Sequence, residues 1–319
     1  MSDHAVEHDY HLIPPSPWPF LSGLAVLVWG LGMVTFFAGL VPRNGDSPMM
    51  EWFFAKGLDS FQDGYRPVAD KVGADGGWIF LVLGILFGAY VMFGWWRDVA
   101  RESKAGDHTP VVDIGLRYGM IMFIMQEAMF FVGWFWIFFE LGLFHKMRAK
   151  WNEDILPNAA GYADSMAPGI KGVEPWNLPL MNTIILLLSG TTVTWAHHAL
   201  IHGDRRGAKW GLFLTVVLGV LFTFVQGFEY LELFHERTEG HPWLSTDAFG
   251  SAFFMATGFH GLHVLIGTIF LLVMFLRLTR GGLRPEKHFG LEAAAWYWHF
   301  VDVVWLFLFA FVYIIFAVG

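Results

Sequence analysis

The chain has 319 residues, 55% hydrophobic and 18% aromatic but only 15% charged, against about a quarter in an average soluble domain. A net charge of −8 from 20 Lys and Arg and 28 Asp and Glu leaves no basic footprint for nucleic acid. Cysteine is absent, which excludes disulfides, zinc thiolate sites and iron–sulfur clusters.

In chain order, residues 1–17 form a cytoplasmic tail that carries Asp3, Glu7 and Asp9 but no Lys or Arg. It lacks the basic start of a secretory signal, so the first apolar span is expected to be retained. Apolar windows follow at 18–40, 77–96, 118–139, 178–201, 210–231, 248–276 and 293–318. Each is long enough for a bilayer-crossing helix of about 20 residues. Only Glu127, Glu229 and Asp302 bring formal charge into them, as the cost of charge in hydrocarbon demands. Runs of β-alternation are absent, so the class is an all-α integral membrane protein with seven transmembrane helices rather than a barrel.

The connections set the orientation. The short segments 97–113, 202–209 and 277–292 hold ten of the Lys and Arg residues, whereas the longer 41–76 and 140–177, with 232–247, hold nine. The positive-inside rule puts the first set, and the N-terminus, inside, and the C-terminus outside. Prolines at 42, 48, 67, 157, 168 and 175 punctuate the two long outer loops, predicting irregular backbone there. Within the first loop, Met50–Phe61 has the spacing of a short interfacial amphipathic helix.

The polar residues left inside the spans carry the functional signal. Glu127 stands near the middle of the third span among Phe123, Ile124, Phe130 and Phe131, so nothing on its own helix pairs with it. It reads either as a proton-handling acid or as a hydrogen-bonding tie between helices. His260 and His263 lie at i, i+3 in the sixth span, His197 and His198 end the fourth, and His299 precedes Asp302 by one turn in the seventh. Such histidines serve as haem ligands, as di-iron ligands, or as interhelical hydrogen-bonding groups, with His299 and Asp302 satisfying each other. His4, His8 and His11 repeat along the acidic tail; imidazoles titrate near neutral pH and can collect protons there. The second and sixth spans both end on the inner face, the second with Trp96, Arg101, Glu102 and His108 and the sixth with Arg277 and Arg280. These are either ordinary positive-inside residues or a seat for anionic lipid head groups.

Several runs resemble subunit III of the haem–copper cytochrome c oxidases. They are PPSPWPF (14–20), GWWRDVARE (94–102) with HTPVV (108–112), LRYGMIMFIMQEAMFF (116–131), WAHHAL (195–200), TGFHGLHVLIGTIFL (257–271) and EAAAWYWHFVDVVWLFLF (292–309). They occur in collinear order over the chain.

The resemblance implies two bundles, helices 1–2 (18–96) and helices 3–7 (114–319), joined by an inner linker (97–113) and separated by a V-shaped, lipid-filled cleft. It makes Trp96, Arg101, Glu102, His108, Arg277 and Arg280 lipid-binding residues. It makes Glu127 the intramembrane carboxyl with His260 or His263 as neighbour, and the tail histidines a proton-collecting group. It implies no catalytic residue and no metal in this chain, which would bind phospholipids only. Haem a and the copper centres would belong to partner subunits I and II. The complex would be a proton-pumping, aa3-type oxidase that reduces oxygen to water with electrons from cytochrome c, soluble or membrane-tethered. This chain would stabilise subunit I and support proton uptake. Related quinol oxidases carry a similar subunit and are the alternative, with a free-standing haem or di-iron membrane enzyme behind them. The expected location is a bacterial inner membrane rather than a mitochondrial one. Both long outer loops, 41–76 and 140–177, exceed the family's usual length and lie on the side of subunit II and cytochrome c.

Overall fold

The structure, a computed structural model, describes residues 15–40, 59–144, 174–238 and 248–315, with side chains placed for 15–33, 79–144, 174–233, 250 and 252–315. Its described residues form seven helices: α1 (Trp18–Leu40), α2 (Asp59–Ala105), α3 (Pro110–Leu143), α4 (Leu178–Ile201), α5 (Arg205–Thr238), α6 (Ala248–Thr279) and α7 (Phe289–Phe307). The last continues as a π-helical stretch, Leu308–Ile314. Among the described residues the only β-type pairing is an isolated bridge between Arg284 and Lys287.

Among the described residues, six stretches are long and apolar enough to cross a membrane: Ile79–Ala105, Pro110–Leu143, Leu178–Ile201, Arg205–Leu233, Ala252–Thr279 and Phe289–Ile314. In α1 the corresponding apolar stretch with placed side chains is Trp18–Met33. The chain is an all-helical, multi-pass membrane protein. Large apolar side chains such as Phe20, Met122 and Trp136 point outward, because lipid replaces water as their solvent.

Two helices match the expected windows residue for residue, α1 and α4. Elsewhere the helices outrun them, except that the seventh, expected over 293–318, starts four residues early and is described to 315. The second begins at Asp59 and runs through Pro67, so half of the expected loop 41–76 is helix. Its first residues take up Asp59–Phe61, the end of the expected interfacial helix, whose positions 50–58 lie outside the described residues. The expected linker 97–113 is mostly helix too, with only 106–109 outside α2 and α3. Hydropathy marks hydrocarbon thickness, whereas a helix keeps its own hydrogen bonds and continues into water wherever the residues are good helix formers. Arg97–Ala105 is such a segment.

Contacts divide the chain into two compact units, Met1–Ile114 and Gly115–Gly319. In the first, α1 and α2 run antiparallel at close range. Trp18 packs on Gly94, Trp29 on Gly84 and Leu81 on Gly32. The Trp18 indole N–H donates to Asp98 Oδ2 at 2.8 Å, which closes the open end of the hairpin.

In the second unit α4 and α5 form a hairpin through a tight turn. Gly203 takes φ +79° there, a conformation that suits glycine. Asp204 caps α5, its Oδ1 accepting from the backbone N–H of Arg206 and Gly207 at 3.1 and 2.9 Å. The two helices touch through small residues: a Cβ on Gly211 would lie 2.8 Å from Ala196 Cβ, and the Thr192 and Thr215 hydroxyls meet at 2.8 Å. Such surfaces let backbones approach where lipid supplies no hydrophobic drive. The fifth and sixth helices are tied by Gln226 Nε2 donating to the Thr257 carbonyl at 3.1 Å. Tyr230 OH meets Thr257 Oγ1 at 2.7 Å, and that hydroxyl donates its own proton to the Phe253 carbonyl.

At the centre of this unit α7 buries Trp298 and Trp305 completely. Each indole N–H donates to a hydroxyl on α4, Trp298 to Ser189 Oγ at 2.8 Å and Trp305 to Thr183 Oγ1 at 2.9 Å. Each hydroxyl in turn donates back to its own helix, Ser189 to the Leu186 carbonyl and Thr183 to the Pro179 carbonyl. A buried indole needs such an acceptor.

Candidate functional site

The third helix presents Glu127 to the sixth. Glu127 Oε2 lies 3.0 Å from His263 Nε2, and the side chains are 20% and 10% exposed. The other ring nitrogen, Nδ1, stands 2.6 Å from the Phe259 carbonyl one turn back. A carbonyl only accepts, so Nδ1 carries a proton. Nε2 and Oε2 then share a single proton between them. Either the protonated acid donates to a neutral imidazole, or the imidazolium donates to the carboxylate. Both arrangements have zero net charge, which suits a pair at membrane depth.

Aromatic rings enclose the pair. Phe131 meets the His263 ring at 5.0 Å, Tyr297 and Phe130 stack on it at 6.3 Å, and Phe130 packs edge-on against Phe259 at 5.0 Å. They limit water at the carboxyl without sealing it.

His260, one turn earlier, goes elsewhere. It is fully buried beside Trp305, Phe222 and Phe131, with ring separations of 5.2, 5.8 and 6.4 Å. Neither of its nitrogens has a hydrogen-bond partner among the described residues. Only one of the two candidate neighbours therefore reaches Glu127.

The seventh-helix pair differs from expectation. His299 Nδ1 and Asp302 Oδ2 are 3.7 Å apart, an electrostatic contact rather than a hydrogen bond. His299 instead meets Thr194 Oγ1 through Nε2 at 3.1 Å. Asp302 packs on Gly190, and its Oδ1 has no hydrogen-bond partner among the described residues. Helical spacing brought the two side chains to one face, but the hydrogen-bond partner of His299 comes from α4. His197 faces the His288 ring at 5.4 Å, and His198 stacks on His202 at 4.2 Å. Among the described residues no three His, Asp or Glu side chains converge as a metal-binding group.

The basic ends of α2 and α6 carry the remaining candidates. Trp96 and Arg101 are exposed, and Glu102 and His108 half-buried. Arg101 Nη1 donates to Asp98 Oδ1 at 3.4 Å. Arg277 is half-buried, its guanidinium against Gly290, and Arg280 is exposed. His4, His8 and His11 lie outside the described residues.

Two features escaped the sequence reading. Arg117, at the start of α3, forms a bidentate ion pair with Glu292 of α7, with Nε 3.2 Å from both carboxylate oxygens and Nη2 3.0 Å from Oε2. Glu229 is 2% exposed, its two oxygens without a hydrogen-bond partner among the described residues, and it faces the buried Tyr313 hydroxyl of the π-helical stretch. The signal for Glu229 was present, as one of three charges inside the spans; its partner helix was not readable.

The sequence has counterparts among known proteins. The profile of the family described as cytochrome c oxidase subunit III matches residues 73–317. "Cytochrome c oxidase subunit 3" of Arabidopsis thaliana is 43% identical over 308 residues, covering 96% of each chain. The protein of that name from Anopheles gambiae is 42% identical over 315 residues, 98% of each chain. That from Hippopotamus amphibius is 41% identical over 307 residues, 96% of this chain and 97% of its own. By the extent and identity of these matches, this chain belongs to the cytochrome c oxidase subunit III family.

Proposed function

We propose that this chain is the third subunit of a proton-pumping cytochrome c oxidase, assembled with subunits I and II, which hold the haem a and copper centres. The observation that carries the reading is the end-to-end similarity to relatives named cytochrome c oxidase subunit 3. In this reading the chain holds no redox centre. It stabilises subunit I, binds phospholipid and sustains proton uptake while the complex reduces oxygen with electrons from cytochrome c.

Three groups of residues would serve those roles. The Glu127–His263 pair supplies a neutral, one-proton polar tie inside the bundle. The basic ends, with Trp96, Arg101, Glu102 and His108 on α2 and Arg277 and Arg280 on α6, contact anionic head groups. The tail histidines His4, His8 and His11 collect protons at the surface. The relatives named above come from plants and animals, which gives no preference for a bacterial over a mitochondrial inner membrane. An energy-coupling inner membrane is the location proposed.

Co-purification tests the reading. From mild detergent, a tagged chain should bring down two further subunits together with haem a absorbance and copper. A chain that purifies alone with stoichiometric haem or iron would overturn it.

A further inference from the structure

At the basic end of the second unit, the first turns of α5 and the penultimate turn of α6 border a groove of about 300 Å³ lined by Arg206, Lys209, Trp210, Phe213 and Phe275. We propose that this groove binds one anionic phospholipid. Its phosphate would sit between Arg206 and Lys209, and an acyl chain would lie along Phe213 and Phe275.

The residue order along α5 matches the order of chemistry along a lipid. Positions 206, 209, 210 and 213 follow the i, i+3, i+4, i+7 spacing of one helix face. Seven residues of helix span about 10 Å, the distance from head group to upper acyl chain. Cations come first, then an indole of the kind that anchors at the interface, then rings only. Trp210 packs edge-on against Phe213 at 5.9 Å, and Phe213 lies 6.2 Å from Phe275. The groove thus has a continuous aromatic floor across two helices.

The two cations are distinguishable from charge that merely orients the chain. Their neighbour Arg205 is used internally, its Nη2 donating to the Leu278 carbonyl at 3.1 Å. Asp204, the nearest acid in sequence, has Oδ1 engaged by the backbone as the cap of α5. The side chains of Arg206 and Lys209 make no ion pair or hydrogen bond with the described residues, yet both line the groove. Unpaired cations above an apolar floor complement an anionic amphiphile, and the positive end of α5 adds to the same field. This site lies on other helical turns than the basic ends assigned to lipid above and stands or falls independently of them.

The test uses the intact oxidase complex. Purified from membranes and exchanged into nanodiscs of phosphatidylcholine with or without phosphatidylglycerol, it is released and its retained lipids are counted by native mass spectrometry. Wild type should retain one more phosphatidylglycerol than the Arg206→Gln/Lys209→Gln variant. An Arg284→Gln/Lys287→Gln variant, which removes the same charge outside the groove, should retain the wild-type number. Equal counts in all three, or equal losses in both variants, would overturn the proposal. Should the groove variant fail to assemble, wild type alone decides. Phosphatidylglycerol should slow reductive methylation of Lys209 several-fold relative to phosphatidylcholine alone, and an unchanged rate refutes the site. A photo-crosslinker at Phe213 that couples to a protein chain instead of lipid also refutes it.

Discussion

His263 and Glu127 are joined through Nε2 and Oε2 at 3.0 Å, while the opposite ring nitrogen of the same histidine is committed to the Phe259 carbonyl at 2.6 Å. The carbonyl fixes one proton on the ring, so the contact with Glu127 holds one proton more and no charge in total.

A hydrophobic carbodiimide reacts with a protonated carboxyl reached from lipid. Glu127, 20% exposed, is therefore expected to be modified ahead of loop carboxylates, with peptide mapping as the measurement. Replacing His263 with Leu removes its competing hydrogen bond and should raise the labelling rate. Labelling confined to loop peptides would contradict the expectation.

The indole of Trp298 has one acceptor, Ser189. Ser189→Ala leaves a fully buried N–H unsatisfied and should cost about 1–3 kcal/mol. The double variant Ser189→Ala/Trp298→Phe should cost less than the sum of the two single changes. Denaturant titration of the four variants in detergent measures the cycle.

Gly211 sits where α4 and α5 are closest. A methyl group there would meet Ala196 Cβ at 2.8 Å and the Thr192 carbonyl oxygen at 2.9 Å, and backbone atoms do not step aside. Gly211→Ala should destabilise by about 1–3 kcal/mol, whereas Gly227→Ala, which meets nothing within 4 Å, should be neutral or better. Thermal release of the subunit from the complex compares them.

The tail proposal has its own readout. Changing His4, His8 and His11 together to Gln removes groups that titrate near pH 6.5. Proton uptake in the assembled oxidase should slow above neutral pH, where bulk protons are scarce, and remain unchanged below it. Identical pH–activity profiles would remove the tail from the mechanism.

The sequence is most readable where one physical cost dominates. Charge in hydrocarbon is expensive, so the spans stand out, and α1 and α4 end where the apolar windows end. The start of α2 at Asp59 was not legible, because its first turns are polar helix beyond any hydropathy window. The candidate site shows the same division. Glu127 is conspicuous as an acid among phenylalanines, but His260 and His263 are about 60° apart around α6, and spacing alone does not say which one faces α3. Likewise Trp298 and Trp305, seven residues apart, resemble any apolar stripe until the Ser189 and Thr183 hydroxyls are seen beneath them.

Two polar contacts of α3 bear on how that helix is aimed. A cylinder that is greasy on every side has no preferred rotation about its axis. Arg117 and Glu127 act as two pegs on it, one set in Glu292 of α7 and the other in His263 of α6. Ten residues at about 100° each leave them roughly 80° apart in azimuth, so they point toward different neighbours. A single residue inserted between them would swing the second peg by about 100° and unlock the helix from α6.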